Sequence, residues 1–467
     1  MITGITEMVY ELFHKDIMVL SANYDPDAGK FGSIIRIYNE EHIPVGLDGI
    51  KNYDLNKALQ FWWESRIIPK NRSQYKNHML EMNVLLANSC GSNLSDQFWI
   101  RPEKSDIKWK DCNFFTNEFN EDIGKYLLGK KTGPLAKMDS NTPDLFSNGE
   151  QDKRWVTERG VRKLIKYGRP PYYEQPFNEM LAAEICRRLG FPHVKYSFVV
   201  KVSDDMQFYS SCPCFVTEDT EFVPAGFIQY AVKRGRGVSS YDHLLKCCSA
   251  LGMKDLGKIE EGLLHMVLLD FITANEDRHF GNFGFIRNAT TLQWEGLAPN
   301  FDAGNAMFYE YPTSDLRKSL SFMDNVKCKS FAATQKKQLG KFTDKIAGLN
   351  IDFSKLDGIE KYYRDILSQN PKVDEERREL LSKLLVERIQ SAEAMVYSRN
   401  GITSAFLNDI AIASEKDYLM RIKNAMLKYQ KMGSLENSIV SNYLRSLNAK
   451  NPQDLVNRIK KALVVQR

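Results

Sequence analysis

An α+β fold in two lobes is what this sequence predicts, and three observations predict it. Short β-prone runs cluster between about residues 150 and 216, with one helix among them. Beyond about residue 240, apolar residues recur at the three-to-four spacing of helices, apart from a hairpin-like stretch near 283–298. Between an apolar helix and an apolar strand of this second region stands a short polar loop, 275–282. The chain has 467 residues, room for about three domains. Its 43% hydrophobic and 26% charged residues exclude a wholly disordered, collagenous or coiled-coil protein.

The elements follow in order. The first segment, to about residue 132, mixes apolar alternation over Gly32–Tyr38 with an aromatic helix over Leu55–Trp63. Pro69 breaks that helix, because proline lacks an amide hydrogen and pushes the residue before it out of helical geometry. Trp62 and Trp63 read as core, and nothing in this segment reads as catalytic. The polar stretch Met138–Lys153 reads as loop. Strands are expected over Val161–Tyr167, Val194–Val202 and Phe208–Val216. Between the first two lies a helix, Asn178–Leu189, which Asn178 can cap and Gly190 can end in a left-handed conformation. The clearest helix is Asp374–Arg399, with Leu380, Leu381, Leu384, Leu385, Ile389 and Ala392 on one face and Gly401 past its end.

Charge and cysteine usage exclude more than they assign. Lys plus Arg total 64 against 59 Asp plus Glu, too even for a nucleic-acid reading of the whole chain. Ser441–Arg467 alone carries six basic residues and one Asp, which reads as a solvated helix face. No apolar run reaches the roughly 18 residues of a membrane span. The best, His265–Ala274, is interrupted by Asp270. The N-terminus does not read as a signal peptide. Eight cysteines are too few for a disulfide scaffold, and Cys212/Cys214 and Cys247/Cys248 lack zinc spacing. Reduced cysteines in a cytoplasmic protein are expected.

The chemistry concentrates in Leu269–Ile286 and shortly after it. Asp277 and Asn282 stand five positions apart, the spacing that lets one short loop place a carboxylate at an attacking oxygen and an amide oxygen on a metal. A second acid, Asp302, lies between Phe301 and Gly304 after the hairpin. An Asp–Asn pair completed by water and phosphate oxygens suits Mg2+, which prefers hard oxygen ligands. His279 reads as a positioning group beside Asp277 and Arg278.

These residues resemble a known family. Asn275, Asp277, Arg278, His279 and Asn282, followed by Ala298, Pro299, Phe301, Asp302 and Gly304, look like the C-terminal kinase domain of the HipA-like bacterial toxin serine/threonine kinases. The Asp-Arg-His-x-x-Asn core is shared with phosphatidylinositol 3/4-kinases. The resemblance covers about residues 135–400. It implies a two-lobed protein-kinase-like fold with an ATP site between the lobes. Lys166 would contact ATP phosphates and Glu179 would hold that lysine. Gly149 and Lys153 would form a phosphate-side loop. Cys214 and Phe215 would meet the adenine, and Asn282 and Asp302 would hold Mg2+. Asp277 would position and deprotonate the acceptor hydroxyl, with Arg278 and His279 bracing its loop. Ser147 lies near the family's regulatory autophosphorylated serine.

The expected organisation is therefore an N-terminal domain over 1–132, a kinase N-lobe over 133–240, a kinase C-lobe over 241–400 and a helical extension over 401–467. The first 132 residues do not read as the family's usual N-terminal subdomain. The expected activity is ATP- and Mg2+-dependent phosphoryl transfer to a protein serine or threonine hydroxyl. The resemblance also implies a translation-linked protein target and room for an antitoxin partner, while the missing apolar span and the balanced charge leave neither membrane nor direct nucleic-acid binding expected. Two other readings stay open: a lipid or small-molecule kinase, and a non-catalytic binding module or corepressor on the same fold.

Overall fold

The computed structural model describes residues 8–26, 28–49, 54–69, 79–128, 131, 133–147, 149, 151–201, 207–317 and 325–397. The expected extension 401–467 and its basic tail lie outside these residues. The first sheet contains β1 (Met8–His14), β2 (Ile17–Asp25), β3 (Lys30–Ile37) and β4 (Phe98–Pro102), antiparallel in the order β3-β2-β1-β4. Two helices, α1 (Leu55–Arg66) and α2 (Met79–Asn88), intervene between β3 and β4. Asp54 caps α1 by accepting from the Lys57 amide, and Ile67 turns extended two residues before Pro69. Trp62 and Trp63 are buried as expected; Trp63 meets Tyr24, Phe31 and Phe146 edge-on.

The second sheet is assembled from β5 (Lys153–Glu158), β6 (Val161–Tyr167), β7 (Ser197–Lys201) and β8 (Gln207–Pro213), in the order β5-β6-β8-β7. Its register sets Lys153 opposite Lys166, so two cations share one end of the sheet. Helix α3 (Gln175–Leu189) crosses between β6 and β7 and packs on this sheet. It begins three residues before the expected start, because Pro176 occupies the first turn, where a missing amide hydrogen costs nothing. Asn178 is therefore inside the helix and caps nothing. Its buried amide donates to the carbonyls of Gly304 and Ala306 and accepts from the Tyr363 hydroxyl. Gly190 ends α3 at φ +79, as its missing Cβ allows. The stretch Met138–Lys153 is less of a loop than its polarity suggests. Pro143–Phe146 forms a buried 3-10 turn, with the Asp144 carboxylate accepting from the Trp155 amide, and Lys153 opens β5.

A third sheet joins β9 (Thr220–Pro224) to the hairpin of β10 (Gly284–Asn288) and β11 (Trp294–Leu297), in the order β11-β10-β9. The remaining helices of eight residues or more are α4 (Ser240–Ala250), α5 (Leu256–Thr273), α6 (Ile359–Leu367) and α7 (Glu375–Tyr397). Helix α5 is buried almost all round from Leu263 onward and packs against α3, α4 and α7. Leu381, Leu384, Leu385 and Ala392 of α7 join that core. Each such leucine contributes roughly 1.5–3 kcal/mol by leaving water. The class is α+β with antiparallel sheets: a sheet with one helix on one side, a mainly helical body on the other. The first sheet has its own core, which includes Leu12, Leu20, Leu59, Trp63, Leu145 and Phe146. It is also tied to the third sheet, since the Phe222 amide donates to the Ser95 carbonyl at 2.8 Å.

Candidate active-site cleft

A cleft of about 790 Å³ opens where the three sheets and the loop after α5 meet. Gly149, Lys153, Lys166, Cys214, Phe215, Asp277, His279, Asn282 and Asp302 all line it. Of the candidates read from the sequence, Glu179 and Arg278 stand behind its wall.

Lys166, on β6, is held by two carboxylates. Its ammonium donates to Glu179 Oε1 at 2.7 Å and to Asp302 Oδ1 at 2.6 Å. Burial alone would lower its pKa, but these two carboxylates raise it well above the usual lysine range. Glu179 does a second job: its Oε2 accepts from the Ala303 amide at 2.9 Å, fastening α3 to the Asp302 turn. Because α3 starts at Gln175, Glu179 lies beyond its first turn, and Lys166 and the Ala303 amide are its partners. Asp302 holds a left-handed backbone at φ +58, uncommon for a residue with a Cβ. Its amide donates to the Tyr196 hydroxyl. Desolvation would push the Asp302 carboxyl up, but Lys166, Lys153 and Arg278 carry it well below the ordinary carboxylate range.

The polar loop begins where Ala274 turns left-handed at φ +51 and ends α5. Arg278 is its internal brace. The guanidinium binds the Asp270 carboxylate through Nε and Nη2 at 3.0–3.1 Å, while Nη1 donates to the carbonyls of Asn282 and Phe301 at 2.7 and 2.6 Å. Both side chains are 2% exposed. This pair therefore joins the end of α5, the polar loop and the strand leading to Asp302 without reaching the cleft. Burial raises the Asp270 carboxyl and Arg278 opposes that rise. His279 faces the cleft, and its Nδ1 accepts from the Gly281 amide. Asn282 donates its amide hydrogen to the Asp277 carbonyl at 3.0 Å, which fixes which end of the side chain faces the loop. The Asp277 carboxylate receives Asn305 Nδ2 on Oδ2 at 2.9 Å and Lys329 Nζ on Oδ1 at 2.6 Å.

The other expected residues take less elaborate places. Gly149 sits at φ +105, and a Cβ there would come within 2.6 Å of Lys153 Nζ. Cys214 follows β8; its thiol donates to the Leu94 carbonyl and is pushed up to about 12 by burial. Phe215 packs on Phe301 and Phe222, forming an apolar wall that includes Leu164 and Val194. Ser147 is buried in the same cleft and donates its hydroxyl to the Asp144 carbonyl.

Among the described residues, no three His, Cys, Asp or Glu side chains form a metal cluster. A divalent ion here would depend on one carboxylate, one amide oxygen, phosphate oxygens and water. Asp302 and Asn282 fit that donor set, the hard-oxygen kind that Mg2+ accepts.

Sequence reading missed three parts of this site. Asp270 did carry a signal: a carboxylate inside an apolar helix must be paired. Lys329 and Asn305 carried none, since neither lies in a recognisable spacing. The first segment was read as having no part in chemistry, yet Val45, Phe61, Trp62, Arg66 and Asp96 wall one side of the cleft.

No family model matches this chain, and no curated protein matches it. Among solved structures it is similar to the Helicobacter pylori proinflammatory kinase CtkA, with 20% identity over 52% of this chain and 94% of that one, at a TM-score of 0.40. It is similar to HipA of Shewanella oneidensis MR-1, solved with HipB and operator DNA as a toxin–antitoxin system. That match has 14% identity over 83% of this chain and 98% of that one, at a TM-score of 0.47. A third similarity is to hydra Fam20 with sugar, at 11% identity over 55% of this chain and 84% of that one, TM-score 0.31. Among the described residues, no helix is long and apolar enough to cross a membrane.

Proposed function

We propose that this cleft transfers the γ-phosphoryl group of ATP to a protein serine or threonine hydroxyl, in the manner of a HipA-like kinase. The observation that carries the reading is the Lys166 ammonium fixed between Glu179 and Asp302, in one cleft with Asp277 and Asn282. Lys166 and Lys153 bind the phosphates, and Gly149 leaves room for them. Cys214 and Phe215 border the adenine beside an apolar wall. Asp302 and Asn282 would hold Mg2+, which would supply charge neutralisation to the phosphates. Asp277 orients the acceptor hydroxyl and takes its proton. The acceptor oxygen bonds to the γ-phosphorus as the bond to the bridging oxygen breaks, and ADP leaves with that electron pair. Arg278 holds the loop in place and touches no substrate. Catalysis here is positioning and charge neutralisation, because phosphoryl transfer asks little covalent chemistry of the protein. A translation-linked target, an antitoxin-type partner and a cytoplasmic setting complete the reading.

Radiolabelled ATP with Mg2+ tests it, using the purified chain beside Asp277→Ala and Asp302→Ala. Label should enter protein from a bacterial lysate or the chain itself, and fall by about 10²–10³-fold or more in both variants, the scale of losing a charge-stabilising group. Equal incorporation by all three overturns the assignment. Label entering inositol-lipid vesicles instead of protein would make the acceptor a lipid. A nucleic-acid shift retained by Asp277→Ala, with no transfer by the wild type, would make the fold a binding module.

A further inference from the structure

We propose that Lys329 is a further catalytic residue of this cleft, bridging the Asp277 carboxylate and the γ-phosphoryl group during transfer. This rests on the phosphoryl-transfer reading above.

A phosphoryl group in transit spreads negative charge over its equatorial oxygens, and cations placed around it lower the barrier. On the side of Lys166 and Lys153 that charge is met. On the side of Asp277 the polar loop offers little. Arg278 is buried on Asp270 and faces away from the cleft. The His279 Nδ1 is occupied by the Gly281 amide. Arg287 lines the cleft but lies against the buried Glu221 carboxylate at 2.5 Å. Lys329 also lines the cleft, and its ammonium is 2.6 Å from Asp277 Oδ1. Any hydroxyl that Asp277 orients therefore has this ammonium as a close neighbour.

The backbone beneath Lys329 is anchored on both sides. The Lys327 amide donates to Glu276, next to Asp277 in the chain, and Lys327 pairs with Thr334 in an isolated bridge. Gln338 accepts from the Phe331 amide and the Ser330 hydroxyl, while Phe331 is buried in the helical core. Gln335 donates to the Asn275 carbonyl at the head of the polar loop and accepts from buried Arg388. The segment bearing Lys329 is thus built onto the same loop that bears Asp277. The lysine side chain itself is 55% exposed, so its contact with Asp277 can be rearranged at small desolvation cost.

The test uses the full chain with Mg2+ and ATP, following ADP release and label transfer under single-turnover conditions. Nucleotide affinity is read in parallel from displacement of a fluorescent ATP analogue. In Lys329→Met, transfer should fall by about 10²–10³-fold with nucleotide affinity within about twofold of wild type. Lys329→Arg should recover about tenfold or more of that loss, because it restores the charge but not the shape. A purely structural role would move affinity, melting temperature and rate together, and arginine would not rescue it. Transfer by Lys329→Met within about threefold of wild type overturns the proposal and leaves the kinase reading standing. A wild-type chain that binds ATP but neither releases ADP nor transfers label overturns both.

Discussion

Two lysine–aspartate pairs line the cleft, each with a contact of 2.6 Å. In Lys166–Asp302 the lysine is 4% exposed and the acid 27%, and a second carboxylate, Glu179, fully buried, shares the ammonium. In Lys329–Asp277 the lysine is 55% exposed and the acid 25%. Equal distances conceal unequal roles. Attraction between charges grows as water is excluded, and so does the cost of leaving either charge alone. Lys166 with Glu179 is therefore a fixed part of the fold, and its second partner, Asp302, faces the cleft. The exposed pair is an exchangeable contact, available for chemistry because little is lost when it opens.

Removing Lys166 should produce the largest effect. Lys166→Met leaves Glu179 and Asp302 facing each other without a cation, and breaking a buried pair in this way costs about 3–5 kcal/mol. Urea unfolding should report that loss, alongside abolished ATP binding. A cost near that of an exposed pair, under about 1 kcal/mol, would mean that water reaches the cluster and that the two pairs are alike.

Acid should separate the pairs next. The folded-state pKa of Asp302 is depressed, so its contribution to stability is complete above the unfolded carboxylate range, near 4. That contribution is lost progressively as pH falls from that range through the depressed folded value. Thermal melting of wild type and Asp302→Asn should therefore differ by a constant amount from about pH 8 to pH 5, with the gap closing below about pH 4. A gap that widens on acidification would require a raised carboxyl and would contradict the cluster as described.

This contrast explains what could be read from the chain. Asp277 and Asn282 stood out because one short loop between a helix and a strand fixes their spacing, and Asp302 because of its Phe301 and Gly304 flanks after the hairpin. The strands around Lys166 and the helix bearing Glu179 were legible from period and from Gly190. The start of α3 was misplaced because a capping Asn and a buried Asn look alike in sequence. Asn178 satisfies carbonyls of Gly304 and Ala306, more than a hundred positions away. Lys329 and the wall contributed by Phe61, Trp62 and Arg66 were invisible for the same reason. Their place depends on which surfaces meet, and no local pattern encodes that.

Salt should give the smallest and most discriminating effect. Lys329→Met should lower stability by less than about 1 kcal/mol at low ionic strength, the ordinary range for an exposed pair. At about 1 M salt the screening length falls to roughly 3 Å, and the difference from wild type should vanish. Most of the Lys166→Met penalty should survive the same salt, because the Lys166 ammonium and its partner Glu179 are 4% and 0% exposed and are screened little. Denaturation of the three proteins at both ionic strengths reads all of this in one series. If the Lys329→Met penalty persisted in high salt, that lysine would belong to the fold in the way Lys166 does. Its release toward a phosphoryl group would then be costly, and the contrast between the two sides of the cleft would collapse.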